Sequence, residues 1–229
     1  MAIGTTTELS ARLASHGLLL RGGFLLDPTT DSVLLERCPG GRQLVLVGNA
    51  GSAIWPHLHR FITENPTATD PLDQWTALVL QDLAAEIRAI GLFPFGGPPW
   101  WPFQQWAKRA DAVTPSPVAI LIHPTYGLWH AYRGALLLGE PIALPPRPNL
   151  PSPCDSCRDR PCLDGCPVGA FSASGYDVDG CARHVNGATG RDCQTRGCLA
   201  RLACPVGSEY RYDSAHAAFH MAAFRRSHP

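Results

Sequence analysis

Eight of the nine cysteines in this 229-residue sequence fall between Cys154 and Cys204. The first half of the stretch has the spacing C-x2-C-x4-C-x3-C-P, and the second half ends in another Cys-Pro pair. Both halves close on a short repeat, Cys166-Pro-Val-Gly-Ala and Cys204-Pro-Val-Gly-Ser. Thiolates are soft ligands that bind zinc or iron–sulfur clusters. The stretch therefore predicts a metal-binding segment.

The number and grouping of these cysteines favour two [4Fe–4S] clusters, because each cluster takes four terminal cysteines. In two-cluster ferredoxins the cysteine before proline binds the other cluster. Applied here, that rule exchanges Cys166 and Cys204 between the two halves. The predicted ligands are the Cys154 set (Cys154, Cys157, Cys162 and Cys204) and the Cys166 set (Cys166, Cys181, Cys193 and Cys198).

Three other interpretations of the cysteines stay open. Structural zinc uses C-x2-C pairs, usually two per site, and only Cys154 and Cys157 form one. Disulfides need an oxidising compartment, and the sequence starts without an export signal. The wide x4 and x5 spacings also fit a former cluster site that no longer binds metal. Cys38, alone in a Pro/Gly turn, is predicted to be an incidental thiol.

A proline-rich spacer predicts how the chain is divided. Six prolines fall between Glu140 and Pro153, a composition typical of a semi-rigid linker. We therefore predict a domain over residues 1–145, long enough for its own hydrophobic core, and a cluster-binding segment over residues 146–229.

The charge composition indicates which partners to expect. Lys and Arg number 19, and Asp and Glu also number 19, so no nucleic-acid or membrane partner is expected. No run reaches the ~18 apolar residues of a membrane span. Reduced cysteines without an export signal predict the cytoplasm.

Helix and strand patterns precede the cysteines. The clearest helix is predicted over 71–90, with Asp70 as its cap, Pro71 at its first position and Gly91 as its stop. Its predicted core stripe is Leu72, Trp75, Leu78, Val79, Leu83, Ile87 and Ile90. Apolar runs predict strands at 17–26, 43–48, 118–122 and 129–138.

Two further segments carry candidate functional residues. Five aromatics between Leu92 and Phe103 either fold into the core or line a pocket for a large flat ligand, with Trp100 and Trp101 as candidates. Near the C-terminus, His216 and His220 lie one helical turn apart. They could bind a metal, but packing or solvent exposure is the preferred interpretation because no third ligand stands near them.

Two motifs in the N-terminal part resemble the CblC-type cobalamin-processing proteins. One is Asp-Pro-x-Asp-Gln at the start of the long helix, and the other is His-Pro-x-x-Gly-x-Trp-x-x-x-Arg-Gly. The matching positions are Asp70, Pro71, Asp73, Gln74, His123, Pro124, Gly127, Trp129, Arg133 and Gly134. The resemblance spans roughly residues 15–140.

The resemblance implies an α+β fold of the flavin-reductase or nitroreductase type that binds a corrinoid. CblC proteins carry no clusters. After residue 145 the layout is instead similar to epoxyqueuosine reductases and corrinoid reductive dehalogenases, in which a CblC-like domain precedes two 4Fe-4S clusters. This sequence lacks the helical-repeat tail of the former and the length and export signal of the latter, so neither specific substrate is carried over.

The second motif also supplies the candidates for chemistry. Tyr126, His130 and Tyr132 are candidate proton donors. Arg133 suits a carboxylate or amide of a corrinoid or substrate, although a structural salt bridge is an equal alternative. Strand alternation puts Trp129 and Arg133 on one face and His130 and Tyr132 on the other, so the two pairs are rivals for one pocket. The residues predicted to bind the cofactor are His123, Trp129, Arg133, Trp100 and Trp101.

The expected function is that of an oxidoreductase in which the clusters pass electrons to a corrinoid or a small-molecule substrate. [4Fe–4S] clusters reach about −700 mV, low enough to suit corrinoid reduction. A reduced ferredoxin, a flavodoxin or a reductase is the expected electron donor. Two alternatives remain: a ferredoxin-like carrier without its own catalysis, and a reductase that binds flavin in place of cobalamin.

Overall fold

The computed structural model of this protein describes residues 5–172 and 175–229. The chain forms two compact units. The first unit comprises Met1–Ala112 and Ala131–Asn149, and the second, here called the cysteine unit, comprises Val113–His130 and Leu150–Pro229. The last division, after Asn149, lies close to the predicted boundary at 145/146. Residues 113–130 differ from that prediction, because they group with the cysteines.

The reason for this grouping is a shared hydrophobic cluster. Val118, Ile122 and Leu128 are buried together with Cys162 and Cys204. Apolar side chains that precede the spacer in sequence therefore complete the core of the cysteine unit, which is too rich in turns to bury a large core from its own helices.

The secondary structure has the following bounds. The strands are β1 (Leu19–Leu25), β2 (Gln43–Ala50), β3 (Ile90–Leu92), β4 (Thr114–Pro115), β5 (Leu121–Ile122), β6 (His130–Leu138), β7 (Phe171–Ser172) and β8 (Gly175–Tyr176). The helices are α1 (Thr6–Ala14), α2 (Ser32–Arg37), α3 (Trp55–Glu64), α4 (Pro71–Ile87), α5 (Phe103–Ala110), α6 (Pro161–Asp164), α7 (Val178–Asn186), α8 (Arg191–Arg196), α9 (Leu199–Ala203) and α10 (Ser214–Ser227). No helix within residues 5–172 and 175–229 is both long and apolar enough to cross a membrane.

The main sheet has the strand order β1-β2-β6-β3 among the described residues. β1 pairs antiparallel with β2, and β3 pairs antiparallel with β6. Every residue of β2 is buried, which confirms the prediction that this apolar run is a strand covered on both faces. The strands predicted at 17–26 and 129–138 are also confirmed, as β1 and β6.

The long helix is confirmed as α4, but both of its predicted ends need correction. The Asp70 side chain makes no capping hydrogen bond. Arg88 adopts a left-handed conformation (φ 55°) directly after Ile87 and ends the helix. Gly91 is not the stop, because it lies in β3 opposite Leu136. The sheet therefore takes residues that helical periodicity had assigned to the helix.

The predicted core stripe of α4 is only partly correct. The residues that the helix buries are Trp75, Thr76, Leu80, Leu83 and Ala84. Leu78, a predicted core residue, is 52% exposed. The apolar residues surround much of this helix, so its periodicity alone does not select the buried face.

The predicted strand over 118–122 is mostly wrong. Only Leu121 and Ile122 form a strand, and they pair with Thr114 and Pro115 across a tight turn. Within that turn Ser116 donates to the Ile120 carbonyl from both its backbone N–H (3.1 Å) and its hydroxyl (2.7 Å). A turn therefore interrupts this apolar run. The hydrophobicity of the run gave no indication of the turn.

Candidate functional site

Two cavities in the cysteine unit are each lined by four of the cysteines. The first contains the Cys166 set and is otherwise walled mainly by Phe171, Val185 and Phe224. The second contains the Cys154 set, with Pro117, Ile122, Val206 and other apolar groups around it. Each cavity is thus lined by one of the two four-cysteine sets that the crossed ligand assignment predicts.

The thiols of each set influence one another. Burial raises the pKa of Cys154, and the nearby Cys204 and Cys162 raise it further. Burial likewise raises the pKa of Cys181, which Cys166 raises further. Within the part of the chain that the structure describes, no three His, Cys, Asp or Glu side chains are grouped to bind a single metal ion. Each set instead surrounds a cavity.

Backbone amides point at several of the sulfurs. Ala170 N–H donates to Cys166 Sγ at 3.3 Å. Short turns and helix starts after the other cysteines supply similar donors, for example from Val206 to Cys204. Such N–H···S bonds stabilise charge on sulfur and are a known influence on cluster potentials. The four-thiol donor sets, the apolar walls and these amides together fit a [4Fe–4S] cluster in each cavity.

The His123–Gly127 turn contacts the loop after Cys204. His123 and Gly127 exchange two backbone hydrogen bonds of 2.9 Å. Gly127 has φ 56°, and a Cβ at this position would lie 1.9 Å from the Val206 carbonyl oxygen. Only glycine allows both that conformation and that approach. The turn of the CblC-like motif therefore packs directly beside a predicted cluster ligand.

Three predicted residues come together at this turn. The His123 ring stacks on Tyr126 with ring centroids 4.5 Å apart and meets His130 edge-on at 5.9 Å. His123 Nδ1 accepts hydrogen bonds from the backbone N–H groups of Thr125 (3.0 Å) and Tyr126 (3.2 Å). His130 Nε2 lies 3.1 Å from the Leu121 carbonyl oxygen. These contacts hold both imidazoles in defined orientations.

Trp129 is buried in the cysteine unit beside a residue that sequence reasoning missed. The Arg201 guanidinium lies 4.4 Å from the Trp129 ring centroid, and its Nε donates to the Leu128 carbonyl at 2.8 Å. The Trp129 indole N–H is buried and has no hydrogen-bond partner among the described residues. β6 begins at His130, so Trp129 precedes the strand on which the predicted face assignment depended.

His216 and His220 contact each other and the Tyr212 ring. His216 is fully buried, and its Nε2 lies 3.1 Å from the Nε2 of His220. The Tyr212 ring stacks on His216 at 4.1 Å. The pair is thus packed within the cysteine unit, and its assignment as a structural rather than a metal-binding feature stays a prediction.

Tyr132 lies in a buried polar network of the first unit. Its hydroxyl donates to Asp111 Oδ2 at 2.9 Å. Arg21 Nη2 lies 2.7 Å from the same oxygen atom. Burial raises the pKa of Tyr132, and Asp111 adds to that rise. The hydroxyl is therefore engaged by Asp111 within the first unit, and the role of Tyr132 as a proton donor stays a prediction.

Arg133 of the second CblC-like motif lies near Asp73 of the first motif. Its Nε donates to the side-chain oxygen of Asn49 at 2.9 Å, and Asn49 is fully buried. Burial raises the pKa of Asp73, and the nearby Arg133 guanidinium opposes that rise. Asn49 is not among the site residues that the sequence predicts, although a polar residue at the end of an apolar strand was an available signal.

The aromatic segment is divided between core and surface. Phe103 is buried, and Trp101 stacks on Trp106 at 5.8 Å. Trp100 is 71% exposed. The two predicted tryptophans therefore have different environments, and Trp101 is the one that packs within the first unit.

A separate cleft of about 1140 Å³ lies in the first unit, along α1, the end of α4 and the segment after β6. Its charged lining residues are Glu8, Arg12, Glu86, Arg88 and Glu140. None of the predicted cofactor-binding residues is among those that line it. The cleft is therefore separate from the hydrogen-bonded Arg133–Asn49 pair.

The fold is mixed α/β and CblC-like. An epoxyqueuosine reductase is similar at 14% identity with a TM-score of 0.52, over 93% of this chain and 68% of that one. The B12-trafficking protein CblC of C. elegans is similar at 13% identity with a TM-score of 0.53, over 95% and 92% of the two chains. No protein-family model and no curated protein matches the sequence. These similarities establish the fold, including the CblC-like fold that the two motifs implied.

Proposed function

We propose that this chain is a redox protein that holds two [4Fe–4S] clusters, one on each cysteine set. The observation that carries this proposal is the division of eight thiols into two apolar cavities, four to each. The clusters would supply single electrons at low potential when bound. The apolar walls would exclude water, and the backbone amides would stabilise charge on the sulfurs.

We further propose that the CblC-like part of the chain binds a corrinoid and that the protein acts as a reductase. The fold similarity supports this, as does Arg133, whose guanidinium is oriented by Asn49. His123, Tyr126 and His130 form the other group of candidate residues. A reduced ferredoxin, a flavodoxin or a reductase would supply the electrons.

Iron analysis tests the cluster proposal. Protein purified or reconstituted without oxygen should contain about eight irons and about eight acid-labile sulfides per chain. Cys38→Ala is the matched control, because it removes a buried thiol outside both sets and should leave the iron content unchanged. Stoichiometric zinc with negligible iron after reconstitution would overturn the proposal.

Titration with cobalamin tests the corrinoid proposal. Binding should shift the absorption spectrum towards the base-off form, as expected from the CblC resemblance. Arg133→Ala and Trp129→Ala should each weaken binding about tenfold to a hundredfold, because each removes one buried contact worth about 1–3 kcal/mol. Arg60→Ala, at an exposed helix position, should leave the affinity unchanged.

The same titration separates the alternatives. Tight flavin binding without any cobalamin response would favour a flavin-dependent reductase. Two clusters without binding of either ligand would favour an electron carrier. If Tyr132→Ala abolishes cobalamin binding while the Arg133 and Trp129 variants bind cobalamin with unchanged affinity, the cofactor site lies on the other face of the strand.

A further inference from the structure

Arg201 is a partly buried cation that forms no ion pair among the described residues. Its guanidinium carbon lies 4.4 Å from the Trp129 ring centroid and 4.6 Å from the Tyr212 ring centroid. Its Nε and Nη2 atoms both donate to the Leu128 carbonyl. Two aromatic rings and a carbonyl therefore contact the guanidinium, and none of these groups carries a negative charge.

A cation removed from water normally has an anionic partner, because desolvation disfavours an unpaired charge. Contacts with the aromatic rings stabilise the guanidinium, but they leave its charge uncompensated. Asp213 adjoins Tyr212 in sequence, yet its side chain is exposed at the start of α10, where water and salt screen its charge. The remaining source of negative charge in this unit is the two thiolate-bound clusters of the proposed function.

Helix α9, which carries Arg201, lies between the two cysteine cavities. Ala200 lines the cavity of the Cys166 set and is also buried in the hydrophobic cluster that contains Cys204. Leu128, whose carbonyl holds the guanidinium, belongs to the same hydrophobic cluster. Along the chain, Arg201 is three residues from a predicted ligand of each set, Cys198 before it and Cys204 after it. The helix therefore places one cation beside both sets.

A cation in this position favours reduction of a cluster. A cluster bound by four thiolates carries negative charge, and reduction adds one further negative charge. A nearby cation therefore stabilises the reduced state more than the oxidised state, and net charge is one of the determinants of cluster potentials. The effect is larger for a partly buried charge than for an exposed one, which water and salt screen.

On the basis of the proposed two-cluster function, we propose that Arg201 is the shared counter-ion of the two clusters and raises the reduction potentials of both. Trp129, Tyr212 and the Leu128 carbonyl hold the guanidinium in place without neutralising it. Arg201 keeps its proton and forms no bond to a cluster. The electron that reduces each cluster comes from an external reductant.

Redox titration of the full cluster-loaded chain with dithionite, followed by EPR, tests this proposal. Arg201→Gln and Arg201→Met remove the charge, so both midpoint potentials should move in the negative direction. Loss of the charge should change the equilibrium constant for reduction by roughly tenfold, or about 59 mV for one electron. Arg201→Lys keeps the charge, so both potentials should stay close to the wild-type values.

Arg226→Gln is the matched control, because it removes the same charge from an exposed position near the end of α10. Its effect on the two potentials should be small and should disappear at high salt. The shift caused by Arg201→Gln should persist at high salt, because the guanidinium is partly buried. Iron analysis of each variant should give about eight irons per chain, which establishes that both clusters are intact.

The outcomes distinguish this inference from the proposed function. Two clusters whose potentials are unchanged in Arg201→Gln and Arg201→Met would overturn the inference and leave the two-cluster function standing. A shift of only one potential, or an equal shift in Arg201→Lys, would also overturn it. If the neutral variants cannot hold clusters, their retention in Arg201→Lys supports the inference and their loss there overturns it. A wild-type chain that cannot be loaded with clusters removes the proposed function and this inference with it.

Discussion

Replacing Cys204 by alanine should remove one cluster and leave the other, lowering the iron content from about eight to about four per chain. The reason is that Cys204 lines the same cavity as Cys154, Cys157 and Cys162, although it lies in the second half of the cysteine stretch. Anaerobic purification with iron analysis and EPR measures the result.

Two double variants separate the crossed ligand assignment from a sequential one. With crossed ligands, Cys154→Ala with Cys204→Ala affects a single cluster, so about four irons should remain. Cys198→Ala with Cys204→Ala affects both clusters, so little iron should remain. A sequential assignment predicts the opposite result for each pair. Loss of all iron from the first pair would therefore contradict the crossed assignment.

Gly207→Ala should destabilise the protein far more than Gly169→Ala, although both glycines occupy the same position of the Cys-Pro-Val-Gly repeat. Both have positive φ, at 67° and 58°, so both variants carry a backbone strain of about 1–2 kcal/mol. A Cβ at Gly207 would also lie 2.6 Å from Gly127 N, whereas one at Gly169 meets nothing within 4 Å. Overpacking should add about 1–3 kcal/mol at Gly207 alone.

Urea unfolding of the cluster-loaded protein, followed by near-UV circular dichroism, measures the difference between these two variants. Gly207→Ala should unfold at the lower urea concentration. It should also lose the cluster on the Cys154 set first, because Gly207 follows Cys204 by three residues. Equal midpoints for the two variants would show that the contact between the loop and the His123–Gly127 turn contributes no stability.

Local patterns predicted much of the secondary structure. The run from Gln43 to Gly48 is apolar and β-branched, and β2 is buried throughout. The start of α4 follows from Pro71, because proline suits the first turn of a helix. These features depend on neighbouring residues in the chain, and a sequence displays them directly.

The errors occur where distant residues compete with a local preference. Helical periodicity extended α4 to residue 90, but Ile90–Leu92 pairs with β6, more than forty positions later in the chain. Arg201 packs on Trp129 and bonds to the Leu128 carbonyl, 73 residues away. Asn49 has the same kind of partner in Arg133, 84 residues away. No local spacing marks such pairs, because only the folded chain brings them together.

The sequence by itself determined the number of cysteines, their spacing and the two Cys-Pro ends. From these it predicted two groups of four cysteines, because ligand identity and short-range spacing are covalent properties of the chain. The repeat Cys-Pro-Val-Gly looks the same at both positions in sequence. Only the tertiary structure makes the repeats different, since the loop at Gly207 contacts the turn at Gly127, whereas Gly169 has open space where a Cβ would stand. Such contacts depend on chain segments that meet in space, and spacing along the chain does not encode them.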